Sequence, residues 1–130
     1  MKTIHTSGKR KTSIARASLK QGKGIIKINN QLLDSLNSEF VKHKIQEPLI
    51  LAKEIAKKID IKVDVKGGGW QSQAEACRLA IGRSLVKFQT NLKKTFIDYD
   101  RTLLIADIRY KEPCKPNISK ARKKRQKSYR

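Results

Sequence analysis

A chain of 130 residues with 31 Lys and Arg against 11 Asp and Glu carries a formal charge of +20 and a pI near 10.3. That length suits one small domain, and that charge speaks against small-molecule enzymes and for a polyanionic partner, nucleic acid ahead of an anionic membrane. Two cysteines and two histidines without CxxC or HxxxH spacing exclude a disulfide framework and a structural zinc site, which leaves free thiols in a reducing cytosol as the expectation.

The charge is unevenly spread. Residues 1–27 hold eight bases and no acid (+8), residues 28–108 thirteen bases and ten acids (+3), and residues 109–130 ten bases and only Glu112 (+9). A nearly balanced middle therefore lies between two cationic ends. No apolar run approaches the roughly 20 residues of a membrane span. The opening "MKTIHTSGKRK" has no apolar h-region, so secretion is not expected.

In chain order, "SGKRKTSIAR" at 7–16 gathers Lys9, Arg10, Lys11 and Arg16 with Gly8 and the hydroxyls of Thr12 and Ser13. Charge, hydroxyls and open backbone N–H groups are what phosphate oxygens bind. "SIARASLK" at 13–20 alternates, "QGKG" at 21–24 reads as a turn, and "IIKIN" at 25–29 follows. The pattern predicts a hairpin whose polar face shows Arg16, Lys20 and Lys27.

After a short "QLLDSL" element, Pro48 is placed in the first turn of a helix, where its missing N–H costs nothing. Leu51, Ala52, Ile55, Ala56 and Ile59 recur behind it at helical spacing. "IKVDVK" at 61–66 alternates as a strand with Ile61, Val63 and Val65 inward. Ser72 with Glu75 forms a capping box that starts a second helix near Gln73. Its stripe runs through Cys77, Ala80, Ile81, Ser84, Leu85 and Phe88, with Arg78, Arg83 and Lys87 off it.

"DRTLLIAD" at 100–107 reads as a short half-buried helix. Beyond Arg109 the apolar signal fades, and such a segment cannot bury enough surface to order itself alone. The order β–β–α–β–α predicts an α+β domain over 1–108, with a basic N-terminal strand region at 1–27. An extended basic tail over 109–130 is expected to be disordered by itself.

Between strand and second helix, Gly67, Gly68 and Gly69 admit three readings: a tight turn, a contact with an RNA backbone, or a nucleotide site. No Lys-Ser/Thr pair follows them and the pattern is not GxGxxG, so the last has the least support. Catalytic constellations are absent: His5 and His43 have no acid/base neighbours in sequence, Asp98 and Asp100 lie in a polar stretch, and Cys77 sits on an apolar stripe. Shape and backbone recognition fits the basic stretches better than base readout, since RNP-type aromatics are missing.

Four blocks occur together: "SGKRKTSIARA" at 7–17, "VDVKGGGWQSQAEACRLAIGRSLV" at 63–86, "YDRTLLIADIR" at 99–109 and the final "QKSYR". In this order they closely resemble the family of small-subunit ribosomal protein nine, in the archaeal and eukaryotic branch that ends in KSYR. Trp70, Ser72 and Tyr110 depart from the residues usual there.

The resemblance implies a ribosomal-protein-five-domain-two-like fold, with a four-stranded sheet backed by two main helices and a left-handed βαβ crossover. It implies binding to small-subunit ribosomal RNA in the head beside neighbouring head proteins, in the cytoplasm. No cofactor, metal, small-molecule substrate or catalysis is implied. The tail would reach the anticodon stem-loop of the peptidyl-site transfer RNA.

Charge and resemblance together nominate Lys9, Arg10, Lys11, Thr12, Arg16, Gly67, Gly68, Gly69, Arg78, Arg83, Arg109, Lys120, Arg122, Lys123, Lys124 and Arg125 for ribosomal RNA. Lys127, Ser128, Tyr129 and Arg130 match the terminal motif and are nominated for transfer RNA. Three rivals stand beside this, one of them a nuclear import address in "KARKKRQK", which would accompany RNA binding rather than replace it. Composition alone also fits a free chromatin-type binder. The fold family also contains kinases, whose longer glycine–serine loop "KGGGWQSQ" does not supply.

Overall fold

The computed structural model describes residues 3–118, 120–122 and 129. Five strands, β1 (Ile4–Arg10), β2 (Ser13–Gln21), β3 (Ile26–Ile28), β4 (Gln31–Leu32) and β5 (Ile59–Lys66), form one sheet in the order β1-β2-β5-β3-β4. Among the described residues only β3 and β5 run parallel. Between β4 and β5 lie a 3-10 turn at Leu33–Ser35, α1 (Glu39–Ala52) and a second 3-10 stretch at Lys53–Lys58. After β5 come α2 (Trp70–Phe88), α3 (Leu92–Tyr99) and a 3-10 turn at Arg101–Leu103. The α+β class is as expected, with five strands rather than four.

β5 organises the sheet because its alternation is complete: Ile59, Ile61, Val63 and Val65 are buried on one side. β2 supplies Ala15, Ala17 and Leu19 to the same layer, in register with Val65, Val63 and Ile61. This displaces the expected hairpin. Residues 13–20 and 25–29 do not pair with each other, because β5 inserts between them. Asp60 ties the connecting segment down by accepting the N–H groups of Lys23 and Ile25, each at 2.9 Å. The hairpin partner of β2 is β1, joined by the tight turn at Lys11–Thr12.

β3 and β4 are joined through Asn29 and Asn30, at φ 46° and 68°. Paired left-handed residues match the twist of a two-residue hairpin turn, and Asn tolerates them well. The Asn29 amide also spans β5, donating to the Val65 carbonyl and accepting the Val65 N–H at 2.9 Å. This extends the parallel pairing past the end of β3.

Two helix starts differ from the expected ones. α1 begins ten residues ahead of Leu49, so Pro48 lies inside it. Its buried side is Ile45, Pro48, Leu49 and Ala52, a helical stripe in which the proline serves as an apolar residue. The run 53–58 continues as 3-10 turn and Ile59 opens β5, so the helical spacing of 51–59 crosses an element boundary. α2 begins at Trp70 with Gly69 as N-cap and no side-chain cap, which leaves Ser72 and Glu75 inside the first turns instead of forming a capping box.

α2 is covered almost all round. It lies against β1, β2 and β5 on one side and α1 on the other, burying Ala74, Ala76, Cys77, Arg78, Leu79, Ala80, Ile81, Gly82, Ser84 and Leu85. Arg78 is therefore interior rather than off the stripe, while Phe88 is partly exposed. Small residues set the spacing. Gly8 of β1 sits so close that a methyl group there would run into the Ala76 carbonyl and come within 2.8 Å of the Ala80 nitrogen.

α3 had no expectation attached to it, and it contributes the fully buried Phe96. The helix expected at 100–107 is a single 3-10 turn capped by Asp100, which accepts the Thr102 N–H at 2.8 Å. Among the described residues, no helix or strand follows Leu103, and no helix is long and apolar enough to cross a membrane.

Candidate nucleic-acid interface

The helices cover one face of the sheet, and strand alternation puts charge on the other. On the helix-free face β2 carries Arg16, Ser18 and Lys20, opposite Asp64, Lys62 and Asp60 of β5. Lys66 and Ile14 continue this row, Lys27 of β3 stands beside Lys62, and β1 adds His5, Ser7 and Lys9. Lys9, Arg16, Lys20, Lys27, Lys62 and Lys66 thus share one exposed surface with, among the described residues, only Asp60 and Asp64. The Asp60 carboxyl is held below its ordinary value, first by the Ile25 N–H and, against a smaller cost of burial, by further N–H groups of the 23–24 loop and the Lys23 charge. It is bound to the backbone rather than offered to the lysines.

A face of this kind neutralises phosphates without reading bases. Among the described residues it carries no Phe, Tyr or Trp side chain, which suits backbone and shape recognition. Lys20 and Lys27 follow from the alternation of 13–29. Lys62 and Lys66 were equally available from the alternation of "IKVDVK", whose outward members received no role in the sequence reading.

At one end of this face the β1–β2 turn meets the glycine turn. Lys11 has φ 52°, and Lys11 and Thr12 are exposed. Gly67 and Gly68 take φ 78° and 68°, a region where side chains are strained. A Cβ on Gly67 would come within 2.8 Å of the Thr12 carbonyl, and one on Gly68 would strike the Ser13 side chain. The buried Ser13 hydroxyl donates to the Gly67 carbonyl at 2.8 Å, and Gln73 donates to it at 3.1 Å. Gly69 has nothing near its missing Cβ. These contacts are those of a tight turn, with Lys11, Thr12 and Lys66 on its outer side.

Four nominated arginines lie elsewhere, along the seam between β1, α2 and residues 100–109. Arg78, with an 8% exposed side chain, donates Nε–H to Glu47 at 2.6 Å and its terminal nitrogens to Asp100 and Thr102 Oγ1, both at 2.9 Å. Burial works against ionisation of Asp100, but the Thr102 N–H and the Arg78 guanidinium outweigh it and hold the carboxyl below its ordinary value. Arg83 donates to the carbonyls of Leu104 and Ser7 at 3.0 and 2.8 Å.

Arg10 joins Glu75 at 2.6 Å, approaches Asp107 at 3.5 Å and donates to the Arg109 carbonyl at 2.7 Å. Arg109 grips Asp107 at 2.7 Å while remaining largely exposed. That bond, with smaller help from Arg10, holds the Asp107 carboxyl far below the usual carboxylate range. Arg10, Arg78 and Arg83 thus brace the fold from within, and Arg109 stands at the surface where the braced segment ends.

Lys120 is exposed, and Arg122 pairs with Glu112 at 2.9 Å on a largely open side chain. Tyr129 is 91% exposed. Lys123, Lys124, Arg125, Lys127, Ser128 and Arg130 lie outside the described residues.

Among the described residues no group of three His, Cys, Asp or Glu side chains could hold a metal ion. Burial pushes the Cys77 thiol up to about 12, so it remains protonated at neutral pH, whereas Cys114 is exposed. Thiolate is the reactive form. One thiol per chain should therefore be alkylated within minutes at pH 8, with the second following only in denaturant. Rapid modification of both thiols in the folded protein, counted by mass spectrometry, would contradict this placement of Cys77.

The model of the family described as ribosomal protein S9/S16 matches residues 8–130. A small ribosomal subunit protein uS9 from Methanococcus maripaludis is 50% identical over 134 residues, covering all of both chains. The uS9 proteins of Methanococcus vannielii and Thermoplasma volcanium are 49% and 50% identical, again over the whole of both chains.

Proposed function

The chain belongs to the ribosomal protein S9/S16 family, and from that membership we propose that it is a non-enzymatic structural constituent of the small ribosomal subunit. The observation that carries its mode of action is the helix-free sheet face, where six cations stand against two acids. On this reading, ribosomal RNA of the subunit head lies against Lys9, Lys11, Thr12 and Arg16 and is met also by Lys62 and Lys66. The glycine turn at 67–69 brings the backbone of that corner close to the RNA.

Arg10, Arg78 and Arg83 act in support, fixing residues 100–109 against β1 and α2. Arg109, Lys120 and Arg122, then Lys123, Lys124 and Arg125, carry backbone neutralisation along a tail that begins at residue 109 and folds on its RNA. Lys127, Ser128, Tyr129 and Arg130 meet the anticodon stem-loop of the peptidyl-site transfer RNA. Arg130 offers a fork of donors and Tyr129 a ring to stack. The domain over 1–108 would then have the ribosomal-protein-five-domain-two-like fold and touch neighbouring head proteins in the cytoplasmic subunit.

Two truncations test the division of labour. A chain lacking 127–130 should enter small subunits at the normal level through high-salt gradients and weaken retention of peptidyl-site transfer RNA several-fold. A chain lacking 109–130 loses charge worth +9 and should enter poorly. Exclusion of the shorter truncation from subunits would overturn the assignment of its last residues.

A further inference from the structure

Trp70 is the one tryptophan of the chain, and it opens α2 with 61% of its surface exposed. A single exposed apolar residue is ordinary on any protein; this one packs against a second ring and follows the glycine turn that abuts the β1–β2 turn. Phe40 of α1 meets it edge to face, with ring centroids 5.5 Å apart and planes at 86°. Such a pair favours a fixed ring orientation. Whichever ring contributes its edge, Phe40 leaves at least one indole face uncovered.

The surroundings are those of an anion's neighbour. Gly67, three residues before Trp70, abuts the β1–β2 turn that carries the exposed Lys11 and Thr12. Lys66 precedes it on the open face, in register with Ile14. Glu75, in the early turns of α2, would repel a phosphate if free, but Arg10 holds it at 2.6 Å. An apolar protein partner would gain nothing from this setting of lysines, whereas a nucleotide offers both a flat base and a charge.

We propose that Trp70 is a stacking platform for an unpaired RNA base, with Lys11 and Lys66 taking the flanking phosphates. The proposal rests on the nucleic-acid reading above and adds a base contact at the start of α2, next in sequence to the glycine turn that ends the charged face. Stacking is tolerant of base identity because every base has a π-face. The edge-to-face contact with Phe40 narrows the orientations the indole gives up on binding.

The lone tryptophan makes the site directly visible in fluorescence. The full chain is titrated with a short unstructured oligoadenylate and with an abasic ribose–phosphate chain of equal length, and affinity is measured in parallel by anisotropy of labelled polymers. Both polymers should bind in a salt-dependent way, and only the adenylate should quench Trp70. Trp70→Ala should weaken adenylate binding about tenfold and leave the abasic chain almost unchanged, with Trp70→Phe recovering most of the loss.

Adenylate binding with unchanged emission, together with equal affinity of Trp70→Ala, would overturn the proposal while leaving the charged face intact. Failure of either polymer to bind would instead remove the nucleic-acid reading on which the proposal stands.

Discussion

Replacing Arg78 by Met is expected to destabilise the folded chain by about 3 kcal/mol, the largest loss from any single exchange of a charged residue here. The guanidinium joins Glu47 on α1, Asp100 and Thr102 beyond α3, and its own helix α2. Removing one partner of a buried ion cluster leaves the others uncompensated, at roughly 3–5 kcal/mol. The lower end applies because Glu47 and Asp100 are 25% and 36% exposed and water can reach them. Small domains are stable by only about 5–15 kcal/mol in all, so the loss would be plain in a denaturant titration.

Arg78→Lys should recover little of the loss, because a point charge cannot span three acceptors set by a planar fork. Acid provides a second readout. Asp100 has a lowered folded pKa, so its contribution is fully present above its ordinary value of 3.8 and is lost as pH falls through the folded value. That part of the acid sensitivity should shrink in Arg78→Met. A variant within 1 kcal/mol of the parent, with an unchanged acid profile, would show that the cluster does not brace the fold.

Changing Lys20, Lys27, Lys62 and Lys66 together to Gln is expected to have the largest effect on RNA binding. All four are exposed on the helix-free face, so folding should change by only about 0.5 kcal/mol per site. Each phosphate left without its lysine lowers the slope of log affinity against log salt by roughly 0.7–0.9, hence by about 3 for four. At 0.1 M salt this corresponds to about a thousandfold weaker binding, vanishing towards 1 M. Arg78→Met, measured on its folded fraction, should leave the slope unchanged. An unaltered slope in the quadruple variant would remove the sheet face from the interface.

What could be read from the sequence followed bulk and alternation. Val63 and Val65 announced β5, and the apolar stripe announced α2. β1 was announced only as a basic strand region, because its inward side is Ile4, Thr6, Gly8 and Arg10. It packs by the close approach of Gly8 and by the Thr6 hydroxyl donating to the Ala80 carbonyl at 2.9 Å, and neither leaves a periodic apolar signal. The 13–29 hairpin failed because parallel pairing of β3 with β5 joins residues 35 apart, which local turn chemistry cannot show.

Arg78 failed as a surface candidate for a related reason. Its acids stand 31 residues before it and 22 after it, and periodicity treats any arginine as outward. Arg16 was legible as a surface cation because it lies on the polar side of the alternating stretch 13–20, and Lys9 because it stands in the run of bases before it. The four motif blocks conveyed family membership more surely than any single element.

Acetylation of lysines in the free chain and in assembled small subunits, compared site by site by mass spectrometry, distinguishes a sheet face covered by RNA from a bare one. Lys9, Lys11, Lys20, Lys62 and Lys66 should be modified in the free protein, where all five are exposed, and protected in the subunit. Equal modification of these lysines in both states would contradict an RNA-covered face.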